Sequence, residues 1–408
     1  MLLLSPVFLA GAAALVLLVH IVVRLASPLF KIPGPAVTNF TSLILKWHEL
    51  NANRTMYIHH LHQKYGPVVR VSPNEVSFTS VAALKEIYGS GGSGYDKTEF
   101  YNLFQAYGRS NCLEKQEDED MMHQVAADDS LQNRLVYHYS PVLHRLLSRM
   151  LFFFAKPRQT PLADKFVLDA AKEDQAADFT VLNRLKEKNS VLDTVDMAAE
   201  CLDHMAAGID TTGDVLCFLM WELSQPRSLQ YQRRLQEEAK AKRDLPFDDL
   251  PFLDAVLNEG LRCFPAIPMS LPRYVPQGGR VLDGFLLPEK TVVSCQAFSL
   301  HRINEDVFPD PDTFHPDRWL QAEGDAERRR LQFAFSSGGR GCVGKHLALA
   351  EMKTLLRDIY SQYRTEPDAS MQTESMAMSD QLISSRPLGK RCLLKFVPLA
   401  DDDVVEKV

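Results

Sequence analysis

The stretch Phe335-Ser336-Ser337-Gly338-Gly339-Arg340-Gly341-Cys342-Val343-Gly344 says more about this 408-residue chain than any other. A glycine-dense loop delivers a cysteine onto the first turn of an apolar helix, which the pattern places from near Cys342 to about Tyr360. Backbone amides at a helix start carry partial positive charge and lower a thiol's pKa. Glycines such as Gly338 and Gly344 let the backbone pass close to a flat cofactor, where a Cβ would collide. Donors from the loop can hydrogen-bond the sulfur and tune its basicity. Arg340 is placed to pair with a carboxylate on the cofactor's rim. The plain alternative is a buried cysteine ahead of a helix. Five residues at fixed spacing (Phe335, Gly338, Arg340, Cys342 and Gly344) weigh against it. The other cysteines, Cys112, Cys201, Cys217, Cys263, Cys295 and Cys392, lack such surroundings and read as core or incidental thiols. With an odd total and no C-x-x-C pair they suggest neither a zinc ribbon nor a disulfide framework, and a reducing compartment fits them best.

Around this loop the composition is that of an ordinary globular protein, 46% hydrophobic and 24% charged. A formal net charge of −7 argues against a nucleic-acid partner, which would call for a basic excess. The N-terminus departs from this average. From Met1 to Val23 there is no Asp, Glu, Lys or Arg, and a run of that length can span a bilayer as a helix. Arg24 and Lys31 follow it, which keeps the downstream chain on the cytosolic side. A cleaved secretory signal is the alternative, given Ala10-Gly11-Ala12, but the positive leading segment is missing. Lys31-Ile32-Pro33-Gly34-Pro35 then breaks any helix. The expected organisation is an anchor over 1–24, a proline-rich stiff hinge over 25–37 and one large domain over 38–408.

Along that domain, Gly66 to Val71 reads as a strand, turned by Ser72-Pro73-Asn74 and returned by Glu75 to Phe78. Val81 to Tyr88 is a short helix. Gly89-Ser90-Gly91-Gly92-Ser93-Gly94 lacks the Lys-Ser/Thr of a phosphate loop and reads as a plain flexible loop. Residues 110–190 are helix-prone but poorly patterned, and Glu114 to Asp120 is an acidic run of solvated type. Apolar residues recur at helical spacing from Val191 to Leu223, and again from Leu250 to Cys263. Arg280 to Leu287 is a hairpin on Asp283-Gly284. Coil fills 303–319. Helices dominate, with small sheets at the margins.

The wording F-x-x-G-x-R-x-C-x-G resembles the cytochrome P450 family. The resemblance implies a mainly α fold with small β-sheets, with Cys342 as the axial ligand of a haem b iron through its thiolate. It implies further residues. Glu259 and Arg262, three apart on one helix face, match the family's E-x-x-R, and Arg318 in Phe314-His315-Pro316-Asp317-Arg318-Trp319 matches the arginine that completes a buried structural triad. The Asp and Trp there depart from the commonest wording. Asp210 and Thr211, in Ala207-Gly208-Ile209-Asp210-Thr211-Thr212, match the acid–alcohol pair that relays protons to the distal oxygen. These residues are poor helix formers, so a local distortion is expected. Arg273 matches a residue that contacts a haem propionate, while Ala266, Ile267 and Met269 would face an apolar substrate. Ser379-Asp380-Gln381 matches another pocket wall.

The resemblance covers the anchor, the first sheet and residues 190 to about 398, and is poor over 110–190, where the chain is short and helices are expected to be missing. The usual W-x-x-x-R helix is absent: Trp47, Trp221 and Trp319 do not suit it, and His123 and Arg134 are substitutes at best. The implied activity is monooxygenation of a small lipophilic substrate, in wording similar to fungal microsomal members of secondary metabolism. Electrons would come from NADPH through a flavoprotein reductase at the endoplasmic reticulum membrane. Two alternatives remain open. One is a haem-thiolate isomerase or dehydratase that needs no reductase; the other is a shortened, impaired anchored member without stable haem.

Overall fold

The computed structural model describes residues 6–89, 94–104, 121, 130–156, 160–173, 176–188, 192–243, 245–381 and 384–399. Cys112, Glu114 to Asp120, His123 and residues 90–93 lie outside them. In chain order come α1 (Pro6–Ala26), α2 (Leu43–Leu50), α3 (Arg54–Tyr65), β1 (Val68–Ser72), β2 (Glu75–Phe78), α4 (Val81–Tyr88) and β3 (Asp96–Lys97). Then follow α5 (Leu131–Tyr139), α6 (Pro141–Phe154), α7 (Pro161–Lys172), α8 (Val181–Lys188), α9 (Thr194–Leu223), α10 (Leu229–Ala241) and α11 (Pro251–Cys263). The remainder is β4 (Arg273–Tyr274), β5 (Arg280–Leu282), β6 (Phe285–Leu287), β7 (Val292–Cys295), α12 (Ala297–Ile303), α13 (Asp325–Leu331), α14 (Lys345–Tyr360), β8 (Tyr363–Pro367), β9 (Met378–Asp380), β10 (Ser385–Pro387) and β11 (Leu394–Pro398). The fold is mainly helical with small sheets, as the sequence suggests.

The chain divides into two compact units. One holds the residues up to Thr98 with Asn258–Val343; the other holds Glu99–Leu257 with the residues from Gly344 on. The first is built on a five-stranded sheet in the order β1-β2-β7-β4-β3. Val68, Val69, Val71, Val76 and Phe78 of the leading hairpin are all buried, so that sheet is wrapped on both faces rather than alternating. Leu45 and Ile58 and Leu61 of α2 and α3 close over Val69 and Val71. Asp283 and Gly284 both take positive φ (46° and 81°) between β5 and β6, which is the turn that a tight hairpin needs.

α1 is long and apolar enough to cross a membrane over Phe8–Ala26, with none of that stretch buried. The segment after it is docked, not merely stiff. Its carbonyls converge on the buried Arg70 of β1, whose Nη1 donates to the oxygens of Leu29 (3.0 Å) and Ile32 (2.6 Å). The Arg70 amide reaches Pro33 at 2.8 Å, and a Cβ on Gly34 would lie 2.5 Å from the Arg70 oxygen. The hinge therefore needs glycine for close approach.

The second unit packs α7 against α9 through small residues, Ala163 and Ala171 meeting Ala198, with Val167 and Leu202 beside them. The antiparallel pairs β8–β11 and β9–β10 complete it. α9 starts at Thr194 rather than Val191, because Asp193 and Asp196 form a reciprocal capping box there. It runs unbroken through Ala207 to Thr212, so the expected distortion is absent. The Thr211 hydroxyl donates to the Ala207 carbonyl at 2.7 Å, satisfying itself on the helix without breaking the ladder. The coil expected over 303–319 holds a 3₁₀ turn at Pro316–Leu320.

Candidate functional site

Cys342 is exposed and its loop is held by its own backbone. The amide of Ser336 donates to Phe333 (2.9 Å), that of Gly341 to Gly338 (3.0 Å) and that of Cys342 to the Phe335 carbonyl (2.9 Å). That last bond ties the cysteine back onto the start of its own loop. The helix α14 begins at Lys345 behind Gly344, and Cys342 precedes the first turn instead of sitting on it. Gly338 has φ 67°, and a Cβ there would lie 2.0 Å from the Tyr88 oxygen and 2.7 Å from the Gly89 carbonyl carbon. The clearance is taken up by the end of α4, so this glycine answers to a protein neighbour. Arg340 is exposed in the 3₁₀ turn Gly338–Arg340.

Behind the loop lies a fully buried carboxylate. Glu259 accepts from Arg262 twice (Nε and Nη2, each 2.9 Å), from Arg318 Nε (3.1 Å), from the His315 amide (2.8 Å) and from Trp319 Nε1 (2.9 Å). Arg262 also donates to the carbonyls of His301 (3.1 Å), Pro311 (2.6 Å) and Thr313 (3.1 Å). Burial alone would push the Glu259 carboxyl up. The hydrogen bonds and charge of Arg262, with the charge of Arg318 and the His315 amide, hold it below the usual range. Glu259, Arg262 and Arg318 are thus brought together as the spacing and resemblance suggest. Trp319 adds something the sequence reading passed over. An indole N–H buried without an acceptor is costly, which is the signal that could have found it. Trp319→Phe keeps the packing against Phe308 but removes one donor to a charged acceptor. It should cost about 1.5–3 kcal/mol in a urea unfolding experiment; a loss within error would mean the indole bond contributes nothing.

His301 joins this network to the cysteine loop. Its Nδ1–H donates to the Arg262 carbonyl (3.0 Å), and its Nε2 accepts from the Phe333 amide (2.8 Å). A carbonyl can only accept and an amide N–H only donate, so the ring must be neutral. Burial pushes its pKa down to about 3, with the Arg262 and Arg302 charges adding to the effect against the helping carbonyl. Burial likewise takes His59 and His62 down to about 4. Folded pKa values below the unfolded one mean stability that is present above the unfolded pKa and lost as pH falls. The urea midpoint should therefore drop from about pH 6.5 downward, where the unfolded histidines begin to protonate. A midpoint flat from neutrality to pH 5 would contradict neutral burial.

A family model for cytochrome P450 matches residues 95–393, which includes the cysteine loop and the buried triad. The chain belongs to the cytochrome P450 family. It is 27% identical to cytochrome P450 monooxygenase stcB of Emericella nidulans, over 90% of this chain and 88% of that one. It is 27% identical to cytochrome P450 monooxygenase aflV of Aspergillus parasiticus, over 90% and 91%. To cytochrome P450 monooxygenase orf2 of Aspergillus niger it is 26% identical, over 95% and 97%. These alignments run to 464, 473 and 481 positions, longer than the chain itself, so the relatives carry residues that this cytochrome P450 lacks.

The residues fit the haem that the P450 family implies. Among the described residues no cluster of three His, Cys, Asp or Glu could hold a metal by itself. An iron carried in a macrocycle asks the protein for one soft axial ligand, and Cys342 is an exposed thiol on a fixed loop, a residue of that kind. In the same unit Arg273 of β4 is buried, with Nη1 donating to the Pro272 carbonyl at 2.9 Å. Cys263 and Cys295 are fully buried, and burial pushes both thiols up, Cys263 to about 12. Ala266 and Met269 are buried and Ile267 is half-buried.

In the other unit, Asp210 and Thr211 are half-buried on α9. One turn further on, Asp214 was not foreseen. Burial and the neighbouring Asp210 raise its carboxyl to about 7, against a hydrogen bond from Ser384 and the charge of Arg386. A carboxyl four residues from another on a helix is visible in sequence, but nothing there shows its burial. Asp380 is buried on β9, whereas Ser379 and Gln381 are half-buried; Arg134 is half-buried on α5.

Proposed function

We propose that this chain is a membrane-anchored haem-thiolate monooxygenase that inserts one oxygen atom from O2 into a small lipophilic secondary metabolite. The observation that carries the reading is Cys342, exposed at the end of a loop whose amides are tied internally and whose root, the Phe333 amide, is held by His301. What a bound haem supplies here is the reductive splitting of O2 that a thiolate ligand favours. Cys342 donates its sulfur, and Phe335, Gly338 and Gly344 give its loop the required path. Arg273 and Arg340 pair with the propionates. Glu259, Arg262 and Arg318 keep the loop root rigid. Asp210 and Thr211 carry protons toward the reacting oxygen. Thr211 can pass one only when its hydroxyl turns from the Ala207 carbonyl, so its rotation is part of the relay.

Residues 1–24 are read as the anchor and 25–37 as the linker, with the haem-binding domain over 38–408 on the cytosolic face of the endoplasmic reticulum. A membrane-bound flavoprotein reductase would supply electrons from NADPH. The fungal relatives named above support this assignment of chemistry. A second reading, favoured by alignments longer than the chain, is a shortened member that folds without keeping haem.

The carbon monoxide difference spectrum of the reduced membrane-bound protein separates the two. A red-shifted thiolate-type band is expected, whereas an unshifted band would remove the thiolate and no band would favour the second reading. Thr211→Ala should then consume NADPH with the product yield falling about tenfold and peroxide released instead. Unchanged coupling would remove Thr211 from the relay.

A further inference from the structure

Tyr88, the last residue of α4, is 4% exposed and touches three parts of its unit at once. Its hydroxyl donates to the Leu271 carbonyl at 2.5 Å and accepts from the Cys295 amide at 3.0 Å, so the ring is pinned to the sheet at both ends of its hydrogen-bonding capacity. Over the ring stands Arg273, its guanidinium carbon 5.3 Å from the centroid. Phe333, at the root of the cysteine loop, lies with its ring centroid 5.0 Å away and tilted by 55°. The Tyr88 carbonyl presses on Gly338 so closely that only glycine fits. One aromatic ring therefore sits between the arginine of β4 and the loop that ends in Cys342.

We propose that Tyr88 is a positioning residue for the haem, setting the Arg273 guanidinium and the Cys342 loop at a fixed spacing. A single rigid cofactor can then be gripped at its iron and at a propionate together. The proposal rests on the haem-thiolate reading and on Arg273 as a propionate partner. The physical case is that a guanidinium over an aromatic face keeps its charge while losing freedom. The ring's second neighbour, Phe333, carries the displacement of either group to the other. Two ligands on one rigid body add their effects only if their separation matches it.

The test titrates the haem-free full chain with haemin and reads affinity, haem dissociation rate and the reduced–carbon monoxide band. Tyr88→Phe keeps the ring and loses both hydroxyl bonds; Tyr88→Leu loses the ring as well. Tyr88→Phe should lower the melting temperature yet hold haem affinity within about threefold, while Tyr88→Leu should weaken it about tenfold or more and enlarge the unshifted band. In an Arg273→Gln background, Tyr88→Leu should cost less than about threefold further, since the partner it acts on is gone. Equal affinities for the Phe and Leu variants, or full additivity with Arg273→Gln, would overturn the proposal. Arg273→Gln alone leaving affinity unchanged would instead remove the propionate assignment and take the proposed spacing with it. Failure of the unaltered chain to bind haem would remove both. Should Tyr88→Leu not fold, Phe333→Leu replaces it: a larger share of unshifted band is expected, and an unchanged share overturns the role of the ring.

Discussion

Cys342→Ser should abolish the red-shifted reduced–carbon monoxide band while leaving the fold in place. A hydroxyl does not ionise near neutrality and is a hard, weak ligand for a haem iron, so the thiolate contribution disappears whatever else binds. The stability of the chain should hardly change. The side chain is exposed, and the bond that shapes the loop comes from the Cys342 amide to Phe335, which serine keeps. Exposed substitutions of this kind cost within about 0.5 kcal/mol. The informative pair of measurements is therefore the spectrum and the urea midpoint of the same sample. A thiolate-type band surviving the substitution would transfer the ligand role to another cysteine. Cys263 and Cys295 are poor heirs to it, both being wholly buried with their thiols pushed upward.

The second large effect is structural. Glu259→Ala should remove about 3–5 kcal/mol, because it strands Arg262 and Arg318 without their counter-charge inside the protein. Domains of this kind have only about 5–15 kcal/mol in hand, so much of the molecule should accumulate unfolded. Every donor on Glu259 loses its acceptor together: two from Arg262 and one each from Arg318, Trp319 and the His315 amide. Glu259→Gln keeps the volume and one acceptor oxygen but not the charge, and should fall between the two. Urea unfolding followed by far-ultraviolet circular dichroism measures all three; a loss under about 1 kcal/mol for alanine would mean that the network relaxes around the gap. Acid acts on the same carboxylate. Its folded pKa lies below the ordinary glutamate value, so its contribution is complete above that value and lost as pH falls through the lower, folded one.

Much of this was legible beforehand. The leading hairpin, α4 and α11 fall within a residue or two of where turn residues, alternation and the proline after Cys263 put them. Helical spacing puts Glu259 and Arg262 on one face, but their place in a buried triad, like that of Arg318 59 residues away, follows only from the resemblance. What could not be read has one physical reason: the partners are brought together by tertiary folding. A lone His301 carries no sign that its two nitrogens link Arg262 to Phe333. Tyr88 looks like any aromatic at a helix end. The helix after Cys342 starts only at Lys345, behind a loop closed over seven positions from Cys342 to Phe335 that periodicity does not register. The prolines after α1 suggest a stiff hinge, and only the fold shows Arg70 gathering the carbonyls of Leu29 and Ile32 there.

The carboxylate at the centre of the brace also has a history during synthesis. Arg262 sits one turn away and is available as soon as α11 forms, but the donors from His315, Arg318 and Trp319 lie 56, 59 and 60 residues further on. Chain emerges from the ribosome N-terminal end first. Until Trp319 has emerged and folded back, Glu259 keeps its water, since an ion so incompletely paired is too costly to bury. In that order of synthesis the root of the cysteine loop, tied to this network through His301, is among the last parts of its unit to close.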